Sequence, residues 1–139
     1  MNNKSPGFKK CLDMMLSRDP QIQEDGFHLL VPEAVKHVPE LIEAYHGHKD
    51  IGLRCWLIEL IAVAKSDDTV EFLSERLQDE DSRIRRAALH GLAQLNTKQA
   101  RTLLWEAQSW ELESSAATNQ FRSELRAVIE SDVQSEPRQ

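Results

Sequence analysis

Apolar residues recur along this chain at two spacings, one of three or four residues and one of 31. The longer spacing also separates three aspartates, Asp19, Asp50 and Asp81. Five columns of apolar residues share this register: Ile22, Leu53 and Ile84; Phe27, Ile58 and Leu89; Leu30, Ile61 and Leu92; Leu41, Phe72 and Leu103; Ile42, Leu73 and Leu104. The chain is therefore predicted to be built from an internal repeat.

Each repeat contains two segments with the periodicity of an amphipathic helix. In the middle repeat the first segment places its apolar residues on one face, namely Leu53, Leu57, Ile58 and Ile61. In the first repeat the second segment does so with Val38, Leu41, Ile42 and Tyr45. Asp19 before Pro20 predicts an N-cap followed by proline at the first helical position. Sustained alternation of apolar and polar residues is absent, so no strand is predicted.

These segments predict three helical hairpins, at residues 19–48, 49–79 and 80–109. Amphipathic segments at 7–17 and 111–131 predict one further helix on either side, and they are expected to cover the two ends of the stack. Residues 132–139 are predicted to be a flexible tail. The whole chain, 1–139, is predicted to form one domain.

The repeat also resembles a known family. The stretch DSRIRRAAL, Asp81 to Leu89, closely matches the first-helix pattern of HEAT repeats in their short bacterial form. Asp50 to Ile58 matches it too, and Asp19 to Phe27 matches more weakly because Gln23 replaces the usual arginine. His37 to Tyr45 looks like the second helix of the family. The resemblance implies an all-α, right-handed α–α superhelix (an α-solenoid) of about three hairpins with capping helices, about eight helices in all.

Two aspartate–arginine pairs stand four residues apart, Asp50 with Arg54 and Asp81 with Arg85. This spacing puts both side chains of a pair on one helix face. The arginines fall at the edge of the buried stripe, where a guanidinium needs a partner. We therefore predict a structural ladder of ion pairs through the stack, weakened in the first repeat by Gln23.

The composition favours a basic protein partner over nucleic acid. The formal net charge is −6, whereas binding to a phosphate backbone needs clustered lysine and arginine. Cys11 and Cys55 form no CxxC pattern and are expected to be buried free thiols. The start MNNKSPG lacks the apolar core of a signal peptide, and no apolar run is long enough to span a membrane. A cytoplasmic location is expected.

No catalytic, metal or cofactor site is predicted. The sequence contains no G-x-S-x-G, P-loop or H-E-x-x-H motif. His37, His46 and His48 could suggest a metal, but zinc sites need three or four converging ligands. These histidines are better explained by the end of a helix, where positive charge is favoured.

The second helices of a solenoid usually line its inner wall. The columns roughly opposite their buried faces, the helix starts and the margin of the outward face supply the predicted partner-binding residues: Glu40, Glu43, Glu71 and Trp105 from the columns, Asp67 from a helix start, and Glu75 and Glu106 from the margin. An acidic patch beside an outward-pointing tryptophan is typical of a binding hot spot. Two alternatives stay open: the charges form an ordinary solvated face, or the last helix covers Trp105.

The leading hypothesis is a non-enzymatic module that binds a basic protein through an acidic concave surface. One specific form is an inhibitor, because small acidic HEAT-like chains resemble certain bacterial immunity proteins that neutralise cationic toxins. The main alternative is a nucleic-acid-acting protein of the DNA glycosylase type, for which Arg83, Arg85 and Arg86 supply local positive charge. An adaptor or chaperone, or a lyase-type relative, is the third possibility.

Overall fold

The computed structural model describes residues 7–135, apart from the side chains of residue 67 and residues 131–135. All regular secondary structure in this part is helical, as the sequence predicts. The α-helices are α1 Phe8–Met15, α2 Pro20–Leu30, α3 Val38–Gly47, α4 Ile51–Ala64, α5 Asp67–Arg76, α6 Ser82–Leu95, α7 Lys98–Glu106 and α8 Ser115–Ser135. Short 3-10 helices occupy Val31–Lys36 and Ala107–Ser109. The all-α class is thus confirmed.

Along the chain, α2 and α3 fall within residues 19–48, α4 and α5 within 49–79, and α6 and α7 within 80–109. The grouping of these helices into three hairpins stays a prediction. The last helix begins at Ser115 rather than at 111 and extends to Ser135, into the predicted tail. Residues 136–139 of that tail lie outside the described residues. The chain divides into two compact units, Met1–Ser66 and Asp67–Gln139, which are described separately below. The assignment to a single domain stays a prediction.

The 31-residue period of aspartates marks the start of the first helix in each predicted hairpin. Asp19, Asp50 and Asp81 are the N-caps of α2, α4 and α6. Each carboxylate accepts a hydrogen bond from an otherwise unsatisfied helix amide, as N-cap residues do. The donors are the backbone N–H groups of Gln21, at 2.9 Å, Leu53, at 2.9 Å, and Arg83, at 2.8 Å.

The ends of α4 and α6 also repeat. Lys65, with φ 55°, and Asn96, with φ 50°, are the C-caps of these two helices and adopt the left-handed conformation. A residue with a Cβ is strained there, glycine is not, and asparagine tolerates the conformation better than lysine.

We expect Lys65→Gly to raise the free energy of unfolding by roughly 0.5–1 kcal/mol, because glycine removes the steric strain at the left-handed C-cap. Asn96→Gly should gain less, since asparagine already suits this conformation and its side-chain oxygen accepts a 3.0 Å hydrogen bond from Arg101. Urea denaturation of both variants and the parent provides the measurement. A Lys65→Gly variant less stable than the parent would contradict the argument.

In the first unit, α1 packs on α2, and α4 packs on α3 and on the 3-10 helix Val31–Lys36. Fully buried side chains include Leu30, Leu41, Tyr45, Leu57, Ile58, Leu60 and Ile61. Ile22 differs from the other members of its predicted column: it is 40% exposed, whereas Leu53 is 6% exposed. A terminal repeat has no preceding repeat to cover its first helix, and α1 meets α2 around Gly26 instead.

In the second unit, α6 packs on α5, α7 and α8, while α5 packs on α7. The core contains Leu73, Leu77, Ile84, Leu89 and Leu92 at 0% exposure. The C-terminal helix contributes Phe121 and Leu125, also at 0% exposure, so α8 covers the apolar face of α6. This packing positions α5 and α7 as neighbours.

Candidate protein-binding surfaces

The second unit carries an exposed surface on its neighbouring helices α5 and α7. We call it the α5–α7 surface and define it by four exposed residues: Glu71, Glu75, Trp105 and Glu106. All four belong to the predicted partner-binding set. The side chain of Asp67, also in that set, lies outside the described residues.

Trp105 is 69% exposed, more than any other large apolar residue in the described part of the chain. Its helix begins at the N-cap Thr97, whose hydroxyl accepts a hydrogen bond from the Ala100 amide at 3.1 Å. Ala100 and Leu104 lie on the buried face of α7. Trp105 follows Leu104 by one residue, so its side chain points about 100° around the helix axis from that of Leu104. The indole is therefore not covered by α8.

The carboxylates of the α5–α7 surface differ in how strongly they are already engaged. Glu75 Oε1 accepts a 3.1 Å hydrogen bond from Arg76 Nη2, which compensates part of its charge. Glu71 and Glu106 form no ion pair through their side chains within the described residues. The two neighbouring helices accordingly carry exposed anionic groups and one large exposed aromatic ring.

The first unit has its own acidic face on α3, formed by the exposed residues Glu40 and Glu43, which we call the α3 carboxylates. The opposite side of α3 is buried through Val38, Leu41, Ala44 and Tyr45. Glu40 Oε2 lies 3.4 Å from His37 Nδ1, and its side chain is 49% exposed. Exposure of these two glutamates follows from the helical period of α3.

The first aspartate–arginine pair differs from the expected ion pair. Asp50 caps α4 through the Leu53 amide. Arg54 Nε donates to the carbonyl oxygens of His48, at 2.6 Å, and Tyr45, at 3.2 Å. Its guanidinium carbon lies 4.6 Å from the centre of the Tyr45 ring. Arg54 therefore forms hydrogen bonds to the segment that precedes its own helix and does not pair with Asp50.

The second pair differs in the same way. Arg85 Nη1 donates to the carbonyl oxygens of Asp79 and Glu80, each at 3.0 Å. The Asp81 carboxylate instead receives two hydrogen bonds from Arg83, from Nε at 3.1 Å and Nη2 at 2.8 Å. An aspartate that caps its helix directs its oxygens toward the first-turn amides, so the residue two positions along reaches it more easily.

Gln23 occupies the corresponding position in the first repeat and makes the corresponding contact. Its Nε2 donates to the carbonyl oxygen of Ser17 at 2.5 Å. Ser17, His48 and Asp79 are themselves spaced by 31 residues. The repeated feature is thus a polar side chain that holds a connector carbonyl. The ladder from one repeat to the next stays a prediction.

Asp81 has a perturbed acidity. The hydrogen bonds from Arg83 hold the pKa of Asp81 below its usual range. In the unfolded chain the ordinary pKa returns, so the unfolded state binds the proton more readily. Asp81 therefore contributes stability that is present above the unfolded pKa and is lost as the pH falls through the lower folded pKa.

We expect Asp81→Asn to destabilise the protein at neutral pH and to differ less from the parent below about pH 4. Asparagine keeps the N-cap, so the change isolates the charge contact with Arg83. Urea denaturation across the acid range is the measurement, and Arg83→Gln is the companion variant, which should reduce the same pH dependence. A constant difference between Asp81→Asn and the parent at all pH values would contradict this assignment.

The three arginines that favoured nucleic acid are engaged inside the second unit. Arg83 pairs with Asp81, and Arg85 holds the connector carbonyls. Arg86 donates to Glu124 Oε2 from Nε, at 3.1 Å, and Nη2, at 2.9 Å. Their charges are therefore directed to groups of the protein itself.

The histidines and cysteines form no converging set of ligands. His48 Nδ1 lies 2.9 Å from the carbonyl oxygen of Ala44, so its ring caps the end of α3. Among the side chains that the structure describes, no three of His, Cys, Asp or Glu are grouped as metal ligands. Cys11 is buried, which raises the pKa of its thiol, and Cys55 is half-buried; both are free.

The described helices include none with the length and apolar character needed to cross a membrane. The sequence model of the family described as HEAT repeats matches residues 38–119. Comparison with curated proteins and with solved structures found no match. HEAT repeats generally act as scaffolds for protein interaction and form α-solenoids, and proteins of that family are typically non-enzymatic.

Proposed function

The chain belongs to the HEAT-repeat family, and on that premise we propose that it is a non-enzymatic interaction module that binds a basic partner protein. The observation that carries the proposal is Trp105, 69% exposed on a surface that also presents Glu71, Glu75 and Glu106. A tryptophan exposed to this extent gains most when a partner removes it from water. The exposed carboxylates of the same two helices favour a partner with lysine and arginine.

The two kinds of group have different roles in the proposed complex. Burial of the Trp105 indole supplies affinity, because aromatic rings bury a large area and also attract a cation placed over the ring face. The carboxylates accelerate encounter with a positively charged protein and disfavour acidic competitors. The net charge of −6 acts in the same direction over longer distances.

The finer proposal is an inhibitor or immunity protein that neutralises a basic toxin or enzyme in the cytoplasm. The acidic residues and the small size of the chain support it. Asp67 is proposed as a further member of the α5–α7 surface, and the α3 carboxylates of the first unit are proposed as a second contact region. The concave arrangement expected for such repeats belongs to the same proposal.

Trp105→Ala is expected to weaken binding of the partner about 30-fold, the effect of losing about 2 kcal/mol at a hot spot. A tagged chain retrieves partners from a lysate of its host at low salt, mass spectrometry identifies them, and calorimetry with the purified partner measures Kd. Val35→Ala is the matched control, because Val35 is 60% exposed but lies in the first unit outside the proposed surfaces. We expect it to leave Kd unchanged.

Charge reversal separates the two acidic regions. Glu71→Lys with Glu75→Lys tests the α5–α7 surface, and Glu40→Lys with Glu43→Lys tests the α3 carboxylates. Affinity should fall in each double variant, and affinity of the parent should fall as salt rises. An acidic partner, or parental affinity in both double variants and in Trp105→Ala, would overturn the proposal. Retention on DNA at moderate salt would favour the glycosylase-type alternative instead.

A further inference from the structure

The second unit contains a cleft between the connection from α5 to α6 and the segment that precedes α8. Its volume is about 370 Å³, within the range of sites that hold small molecules. Residues with charged or polar side chains line it: Asp79, Glu80, Arg85, Glu111, Glu113 and Ser114. None of them belongs to the α5–α7 surface, so the cleft is separate from the proposed partner site.

Arg85 is the only cation among the described residues that line this cleft, and it is only 3% exposed. Its Nη1 donates to two carbonyl oxygens, but its Nε is buried without a hydrogen-bond partner. Asp81, which the sequence predicts as the counter-ion of Arg85, is paired with Arg83 instead. Within the described residues, no carboxylate forms an ion pair with Arg85. A guanidinium that lines a cleft, is 3% exposed and has no counter-ion in the described part of the chain favours a ligand carboxylate.

The start of α8 adds to this preference. Ser114 precedes the helix, and its hydroxyl accepts a 3.1 Å hydrogen bond from the Ala117 amide. The N-terminus of a helix has positive potential, so it also stabilises a nearby anion. Both features lie in the lining of the same cleft.

The remaining lining has the opposite preference. Glu80, Glu111 and Glu113 are exposed, and Asp79 is half-buried with its Oδ1 accepting the Asp81 amide at 2.8 Å. Four carboxylates around one guanidinium exclude a simple anion but attract a cation. A ligand that satisfies both parts must carry a carboxylate and a positive group about one side chain apart.

We propose that this cleft binds a carboxylate with an attached cationic side chain, as in L-arginine or the free C-terminal arginine of a peptide. The ligand carboxylate lies against Arg85 and the start of α8, and the guanidinium lies among Glu80, Glu111 and Glu113. The step is reversible binding without chemistry. Two sources share this chemistry, the free amino acid and a peptide terminus.

Calorimetric titration of the full chain with three probes tests the carboxylate requirement. L-arginine should bind, agmatine, which lacks the carboxylate, should bind at least tenfold more weakly, and acetate should give no detectable heat. Amide shift changes in NMR at Ser114 and Ala117 should accompany arginine binding. Equal binding of arginine and agmatine, or shift changes confined to other residues, would overturn the proposal.

The source of the ligand is identified by titrating a short peptide with a C-terminal arginine and, as its control, the C-terminally amidated form of the same peptide. Tighter binding of the acid-form peptide than of free arginine identifies a peptide terminus, whereas tighter binding of free arginine identifies the amino acid. If neither arginine nor the acid-form peptide binds, the proposal fails. The amidated form should bind at least tenfold more weakly than the acid form.

Two double variants distinguish the cleft from the protein-binding surface. Glu111→Gln with Glu113→Gln should weaken arginine at least tenfold and leave the fold intact, since both side chains are exposed. Glu71→Gln with Glu75→Gln is the matched control and should keep arginine affinity. Unchanged arginine affinity in the Glu111 and Glu113 variant would contradict the cleft, whatever the result for partner binding.

Discussion

Phe121→Ala is expected to lower the free energy of unfolding by about 3–5 kcal/mol, the usual cost of removing a fully buried aromatic ring. Phe121 is 0% exposed on α8, and its ring stacks on Trp110 with the centroids 6.3 Å apart and the planes within 4°. The substitution removes the largest side chain that α8 packs against α6.

Urea denaturation followed by circular dichroism measures this effect, and Trp105→Ala is the matched control. The control also removes an aromatic ring from the second unit, but one that is 69% exposed. It should change the free energy of unfolding by less than about 0.5 kcal/mol. Equal losses in the two variants would show that burial does not set the contribution of these rings. A stable Trp105→Ala variant also makes its partner affinity directly interpretable.

Gly26→Ala is expected to lower the free energy of unfolding by about 1–3 kcal/mol through overpacking. A Cβ at Gly26 would lie 2.7 Å from the carbonyl oxygen of Cys11 and 2.7 Å from Met14 Cβ. One of these atoms belongs to the backbone of α1, so a side-chain rotation cannot relieve the contact. The helices α1 and α2 must separate, and this cost exceeds the gain of about 1 kcal/mol in helix propensity.

Gly47→Ala is the control for that substitution. Gly47 is the last residue of α3, and a Cβ there would meet no atom within 4 Å. The change should therefore be neutral or slightly stabilising. Urea denaturation and protease sensitivity of the α1–α2 connection compare the two variants. A Gly26→Ala protein as stable as Gly47→Ala would mean that α1 and α2 do not approach as closely as described.

Local interactions explain why so much of the helical framework could be predicted from the sequence. An N-cap contact joins residues two or three apart, so the aspartates at 19, 50 and 81 already specify where α2, α4 and α6 begin. Helical spacing of the apolar residues likewise predicts which side of each helix is buried. Both signals act over a few residues, and the 31-residue repetition reinforced them.

The contacts of the site arginines could not be predicted, because their partners are backbone groups that a sequence pattern does not reveal. Arg54 and Arg85 bond to backbone carbonyls, which every residue carries, so no side-chain pattern at positions 48 or 79 could reveal the acceptors. The spacing of the aspartates and arginines therefore suggested an ion pair. In the fold, the aspartate caps its helix and the arginine donates to backbone carbonyl oxygens.

The sequence alone determined the helices and the outward direction of the glutamates on α3 and α5, because the helical period decides both. Only the tertiary structure decided that Trp105 remains exposed, because whether α8 covers the indole depends on how α8 packs against α6. It also decided that Arg85 lines a cleft beside Glu111 and Glu113. Those residues are separated along the chain, and only the packing of the helices between them brings them together.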